Sequence, residues 1–230
     1  MIEPEEKKLL YDRKAGERLY RFFEEKSYND KKTCELLADA LREQKILLVG
    51  PGKNIRLQRE RVNDFIGNHK PVIISINYIP DAWKVQYVFI TKSKRYLEMT
   101  EDLLEAKNRD VRLIATTNVE AKNGGFPYII SREPLLEHGQ KINDNSFIML
   151  LKILKACGVR KVWCAGFDGY SPSEENYFEP AMEYTFVKGE AVHLNTHIKE
   201  ILEELSGELE VEFITYSHYL DEIDIRLASV

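Results

Sequence analysis

The segment Gly166-Phe167-Asp168-Gly169-Tyr170 contains residue types that can bind a small ligand and support a transfer reaction. It follows the apolar run Val162–Ala165, and its two glycines let a ligand approach the backbone on either side of a carboxyl group. Tyrosine hydroxyls can donate hydrogen bonds to a departing phosphate without adding charge, so Tyr170 and Tyr177 are candidates for that role. The segment therefore predicts a small-ligand site, although the aromatic residues that follow it could also serve only to pack the loop.

A second candidate is the turn Gly50-Pro51-Gly52-Lys53-Asn54, which follows the apolar run Ile46–Val49 and precedes a helical pattern. Free N–H groups at the start of a helix favour a phosphate there. The turn is not a Walker A motif, because Leu47 stands at the first glycine position and Asn54 follows the lysine. It is not a dinucleotide fingerprint either, because Ile55 replaces the third glycine. The turn predicts either one wall of a phosphate site or a tight turn without a ligand.

Polar residues also follow the other apolar runs. In an open parallel sheet, ligands bind outside the carboxyl ends of the strands, so these residues would meet at one edge. The candidates there are Asn77 after Val72–Ile76, Ser93 after Val85–Ile90, and Asn118 after Val111–Ala115. Such residues also favour turns for their own sake, but their recurrence in one sheet predicts a ligand site.

His193 and His197 are four residues apart. A zinc-protease motif would need glutamate after the first histidine, and Leu194 is there instead. Thr196 resembles the N-cap of a helix, which would place His193 just before that helix, where it could act as a general base. A structural role for a loop histidine is the alternative. The sequence has no Asp-x-Asp pair, so no metal site and no cofactor besides a nucleotide substrate are expected.

Alternating strand-like and helical patterns occupy the chain from Lys45 onward. Continuous Ile, Val and Leu runs indicate strands buried on both faces, so we predict a three-layer, Rossmann-like α/β fold with a mostly parallel central sheet. The remaining predicted strands are Tyr128–Ile130 and Val211–Thr215, and the predicted helices are Ile55–Ile66, Ser93–Ala106, Asn145–Cys157 and Thr196–Leu205. Gly67 and Gly158 are expected to end helices. The irregular stretch Gly166–His193 is expected to be an active-site lid or partly helical.

Two units are predicted along the 230 residues: a helical N-terminal extension, 1–44, and a nucleotide-binding domain, 45–230. The extension contains two amphipathic patterns, the second beginning after Asn29 or Asp30. A net charge of −5 argues against a binder of duplex nucleic acid. Cys34, Cys157 and Cys164 are odd in number and lack Cys-x-x-Cys spacing, which favours reduced thiols in a cytoplasmic protein. No apolar run is long enough to cross a bilayer.

From Ile46 to about Leu220 the order of elements resembles the single-Rossmann-domain bacterial sialyltransferases of glycosyltransferase family 42. The turn at Gly50 resembles that family's small-residue phosphate loop, and Asn77 resembles its strand-end asparagine that contacts the nucleotide. Asn145-Ser146-Phe147 resembles its Thr-Ser-Gly helix start. Gly166-Phe167-Asp168-Gly169-Tyr170 resembles its Gly-Ile-Asp-Phe-Tyr segment.

The resemblance implies a metal-independent glycosyltransferase that uses a nucleotide-sugar, most simply a CMP-sugar, in surface polysaccharide biosynthesis. It implies His193 as the base that deprotonates the acceptor, with Tyr170 and Tyr177 supporting the departing phosphate. Pro51 and Lys53 depart from the family's loop. Lys53 could contact a phosphate directly, which keeps another nucleotide or a phosphate-transferring enzyme open.

The whole chain also resembles the C-terminal region attached to aldolase-type barrels in bacterial polysaccharide loci. That resemblance implies a non-catalytic nucleotide- or sugar-binding module. Such a module would dock on an aldolase or on copies of itself through residues 1–44.

Overall fold

A computed structural model of the chain describes residues 29–119, 126–140, 142–179, 182 and 187–220. Its centre is one sheet of seven parallel strands in the order β5-β4-β3-β2-β1-β6-β7. The strands are β1 (Ile46–Val49), β2 (Val72–Ile76), β3 (Tyr87–Ile90), β4 (Arg112–Thr116), β5 (Tyr128–Ile130), β6 (Lys161–Ala165) and β7 (Glu210–Phe213). The predicted α/β fold with a parallel sheet is confirmed.

Helices cover both faces of the sheet because successive strand residues point to opposite faces and both sets are apolar. In β1, Ile46 and Leu48 belong to one buried cluster, whereas Leu47 and Val49 belong to the other. The helices are α1 (Asp30–Leu41), α2 (Asn54–Leu57), α3 (Arg59–His69), α4 (Ser93–Glu98), α5 (Thr100–Leu104), α6 (Ser146–Ala156) and α7 (Val187–Leu205). Helices α1, α6 and α7 pack on the first cluster and α3, α4 and α5 on the second, which gives three layers.

Helix α1 confirms the second of the two predicted N-terminal helices. It begins after Asn29, whose side chain accepts a hydrogen bond from the Lys32 N–H. Leu37 and Leu41 are buried in the core, and Asp30 accepts a hydrogen bond from the N–H of Ser131 beside β5. The apolar face of α1 is therefore covered by the sheet. The first predicted helix, within residues 1–28, lies outside the described residues.

Several predicted helix boundaries were wrong. The last helix begins at Val187 rather than Thr196, whose hydroxyl donates to the Val192 carbonyl inside the helix. Helix α3 passes through Gly67 and ends at His69, where Lys70 adopts the left-handed conformation at φ 47°. The predicted helices Ile55–Ile66 and Ser93–Ala106 are each broken into shorter pieces. Gly158, at φ 79°, follows α6 as predicted.

The strand order reverses at β1, which lies between β2 and β6. The chain leaves β1 toward one side of the sheet and returns at β6 on the other. The segments after these two strands consequently face each other at the carboxyl edge, where open parallel sheets bind their ligands. All three cysteines are free thiols. In the described residues, every helix is too short or too polar to cross a bilayer.

Candidate functional site

The glycine turn after β1 packs directly on the segment after β6. The Gly50 N–H donates to the Ala165 carbonyl and the Gly52 N–H to the Gly166 carbonyl, both at 2.8 Å. A Cβ added at Gly50 would lie 2.5 Å from the Gly166 oxygen, and one at Gly52 would lie 2.6 Å from the same atom. Both glycines are therefore required by the contact between the two chain segments, whether or not a ligand binds beside them.

Asp168 joins the same two segments through its carboxyl group. Its Oδ2 accepts a hydrogen bond of 2.8 Å from the Asn54 N–H, whereas its Oδ1 has no hydrogen-bond partner among the described residues. The residue is only 5% exposed. Burial raises the pKa of Asp168 from 3.8 to about 6, against the opposing effects of the Asn54 hydrogen bonds and the Lys53 charge. Asp168 is thus a carboxyl group that can exchange a proton near neutral pH.

A cleft of about 160 Å³ opens at the carboxyl ends of β1, β2 and β6. It brings together most of the residues predicted from the sequence, contributed by three strand ends, the start of α6 and the loop after β6. These are Pro51, Gly52, Asn77, Asn145, Ser146, Gly166, Asp168, Gly169, Tyr170 and Tyr177. The enclosed volume is below the ~300 Å³ of ordinary small-molecule pockets, so a nucleotide would extend from it through the open side.

The start of α6 forms one wall of the cleft. Asn145 is its N-cap, with a side-chain oxygen that accepts hydrogen bonds from the N–H groups of Phe147 and Ile148. Ser146, the first helical residue, accepts a hydrogen bond of 3.0 Å from the Asn77 amide at the end of β2. Asn77 has φ 59°, a conformation that asparagine tolerates better than most residues. These contacts hold hydroxyl and amide groups in place at the cleft.

Three tyrosines also line the cleft. Asn195 of α7 holds the backbone of Tyr170 at both polar groups, because its Oδ1 accepts from the Tyr170 N–H at 2.9 Å and its Nδ2 donates to the Tyr170 carbonyl at 2.7 Å. The Tyr170 hydroxyl accepts a hydrogen bond from the Asn145 amide at 3.3 Å. Tyr177 pairs with Gly52 through a short antiparallel bridge. Burial, with Tyr170, Tyr177 and Asp168 nearby, raises the pKa of Tyr219 well above its usual value.

Two cations complete the lining, Lys92 and Arg95 at the start of α4. The Lys92 ammonium lies 3.8 Å from the Asp144 carboxylate, which also faces the cleft. The Arg95 side chain is only 11% exposed, and its guanidinium donates to Glu98 at 2.8 Å and to the Met182 carbonyl at 3.1 Å. Both cations are therefore held beside the cleft by carboxylates that offset their charge.

Five of the predicted site residues do not line the cleft. Gly50 lies behind it in the contact with β6, and Lys53 forms an ion pair with Glu174 in a separate hollow. Ser93 is exposed and donates to the Asn118 carbonyl, while the Asn118 amide donates to the Thr91 carbonyl at 2.9 Å. His193 is exposed on α7, inside the helix rather than before it.

Tyr219 is the cleft residue that the sequence-based reasoning missed. It follows β7, and the strand-end candidates from the sequence included no residue after β7 or β5. The same strand-end pattern would have found it, since Val211–Thr215 is followed by Tyr216-Ser217-His218-Tyr219. Lys92 and Arg95 were visible as strand-end residues, but nothing in the sequence separated them from the neighbouring exposed Lys94.

Within the described ranges, no group of three or more His, Cys, Asp or Glu side chains is placed to hold a metal ion. Comparisons of the chain with protein-family models, with curated proteins and with solved structures find no match.

Proposed function

We propose that this chain binds a nucleotide or nucleotide-sugar in the cleft between β1 and β6 and acts as a metal-independent glycosyltransferase-like domain. The observation that carries the proposal is the convergence of Tyr170 and Tyr177 with the capped start of α6 in one cleft at the strand-order reversal. Open α/β sheets bind nucleotides at this place, and the positive end of the α6 dipole and phenolic hydroxyls both suit a phosphate.

The chemistry follows from the charge that develops when the bond between sugar and phosphate breaks. The departing phosphate gains negative charge, and hydrogen bonds aimed at it stabilise the transition state more than the ground state. Tyr170 and Tyr177 would donate those hydrogen bonds, with Lys92 and Arg95 as further N–H donors beside the same cleft. Asp168, with a pKa of about 6, would accept the proton of the attacking hydroxyl.

His193 was expected to be that base, and its position does not favour the role. It lies on the exposed surface of α7 and outside the cleft lining. We therefore assign the base role to Asp168 within the proposal. A CMP-sugar donor and a place in surface polysaccharide biosynthesis remain part of the proposal on the strength of the sequence resemblance.

A second candidate function is a binding module without catalysis, for which the exposed position of His193 is the favouring observation. Docking through α1 would have to use its outer surface, because its apolar residues Leu37 and Leu41 are buried against the sheet. The two functions share the ligand site and differ in whether donor is consumed.

Calorimetry and thermal shift with CMP, CDP, UDP, GDP and ATP, each with and without Mg²⁺, test the proposal. A ligand present at about 100 times its Kd should stabilise the fold by ~2.7 kcal/mol. For the nucleotide that binds, hydrolysis of its sugar derivative, the potential donor, is then measured. Binding with turnover supports the transferase, and binding without turnover supports the module. No shift with any nucleotide refutes the transferase and leaves only a sugar-binding module. A strict need for Mg²⁺ would instead favour phosphate transfer.

A further inference from the structure

A second cavity adjoins the nucleotide cleft on the side of the sheet covered by α3 and α4. It has a volume of about 650 Å³, within the ~300–1,000 Å³ range of small-molecule sites. The cleft and this cavity share Asn77, Arg95 and Met182 as lining residues. The Arg95 side chain is fixed by Glu98 and by the Met182 carbonyl, and it forms a wall that the two spaces share.

Two arginines line this cavity from the corner between α2 and α3. Arg56 and Arg59 form no ion pair in the part of the chain that the structure describes. The Arg56 guanidinium lies 4.2 Å from the centre of the Phe178 ring, which holds it in place without neutralising it. Guanidinium groups bind carboxylates and phosphates through paired hydrogen bonds, so the corner is suited to an anion.

Four carboxylates also line the cavity, and two of them are paired with basic side chains. Asp81 is paired with Lys107 at 3.3 Å, and Glu98 is paired with Arg95 at 2.8 Å. Burial raises the pKa of Asp102, with the neighbouring Glu105 and Asp81 adding to the effect. Glu179 is exposed at the edge of the cavity. The acidic side chains that could compete for Arg56 and Arg59 are thus paired, partly buried or at the periphery.

Aromatic and apolar side chains provide the rest of the wall. The Trp83 ring is held by a hydrogen bond of 2.7 Å from its indole N–H to Asn63, and Tyr78 packs against Phe178 with ring centres 5.4 Å apart. The Tyr78 hydroxyl donates to the Gly50 carbonyl, which ties this wall to the turn after β1. A charged sugar has an apolar C–H surface and an anionic substituent. The aromatic rings suit the first and the guanidinium groups suit the second.

We propose that this second cavity binds a sugar that carries a carboxylate or a phosphate, with the anionic group on Arg56 and Arg59 and the ring against Trp83. This inference rests on the proposed function: in the transfer reaction, this sugar would be the acceptor. Its binding is independent of catalysis, so it can be tested without a known donor.

The test is a ligand-observed NMR titration of the full chain with D-glucuronate, glucose 6-phosphate and glucose, without nucleotide. Because guanidinium groups favour anionic partners, at least one of the anionic sugars should bind about tenfold tighter than glucose. The Arg56→Ala/Arg59→Ala double variant should lose that preference. Arg109→Ala, which removes an exposed arginine outside both cavities, should keep it.

Equal binding of glucose and the anionic sugars, no binding of any of them, or a preference that survives in the double variant would overturn the proposal. Melting curves of each variant confirm that the fold is retained. Nucleotide titrations on the same samples separate the two proposals. If the double variant loses the sugar preference while no nucleotide binds the wild type, the anionic-sugar site stands and the nucleotide function falls.

Discussion

The free energy of unfolding of the wild type should fall as the pH rises from about 4 through 6, because of Asp168. Replacing Asp168 by asparagine should remove this fall. Between its ordinary pKa of 3.8 and a folded pKa of about 6, the unfolded state ionises while the folded state keeps its proton. At ~1.36 kcal/mol per pH unit, this difference amounts to about 3 kcal/mol. The stabilising contribution is complete below about pH 4 and is lost as the pH rises through 6, so the wild type should weaken over that range.

The Asp168→Asn variant keeps an oxygen that can accept the Asn54 N–H and has no group that ionises there. Its free energy of unfolding should equal that of the wild type near pH 4 and exceed it by up to about 3 kcal/mol at pH 7.5. Urea unfolding, followed by circular dichroism at half-unit pH steps, measures this difference. Asp64→Asn, which removes an exposed carboxylate on α3, is the matched control and should follow the wild-type profile.

A difference between Asp168→Asn and the wild type that stays constant from pH 4 to pH 7.5 would refute this reasoning. Such a result would mean that the carboxyl group keeps its ordinary pKa in the folded protein. The unpartnered Oδ1 would then have to be solvated through the cleft, and Asp168 could not serve as the proton acceptor near neutral pH.

Further substitutions test individual contacts of the site. Gly52→Ala should lower the free energy of unfolding, measured in urea, by ~1–3 kcal/mol, because the added Cβ would lie 2.6 Å from a backbone oxygen. Gly67→Ala, in open space within α3, should instead raise it by ~0.5–1 kcal/mol. Asn145→Ala should lower the free energy of unfolding by ~1 kcal/mol through loss of the cap on α6; no change would mean that the cap is dispensable. Tyr170→Phe and Tyr177→Phe should each lower sugar transfer roughly 100-fold with nearly unchanged nucleotide affinity, and a collapse of affinity in calorimetry would make them binding residues instead.

Strand positions could be predicted from the sequence because most of the strands contain a short run of apolar residues. Ile46–Val49, Val72–Ile76 and Tyr128–Ile130 were predicted with the observed bounds. The rule that ligands meet the carboxyl ends of parallel strands then placed Asn77 and Tyr170 in one cleft, although they are far apart in the chain. The contact between these distant residues was therefore predicted from the sheet topology and not from a local motif.

Helix starts and side-chain partners were not predictable in the same way. Thr196 has a residue type that is common at helix starts, yet the apolar face of α7 already begins at Val187. Lys53 was predicted to contact a phosphate, but in the structure it forms an ion pair with Glu174, more than one hundred residues later in the chain. Such a partner depends on the folded loop, so local sequence carries no sign of it.

The strand order also has a consequence for how the protein folds. Strands β1 to β5 pair with their neighbours in sequence, whereas β1 meets β6 only when Leu47 pairs with Trp163 across more than one hundred residues of chain. Closing so long a loop carries a larger entropic cost than joining adjacent strands, so we expect the β1–β5 half to assemble first. The cleft lies between the β1–β5 half, which is expected to form first, and the β6–β7 half. An intermediate that has formed five strands would consequently have no ligand site, and ligand binding would report only the fully assembled sheet.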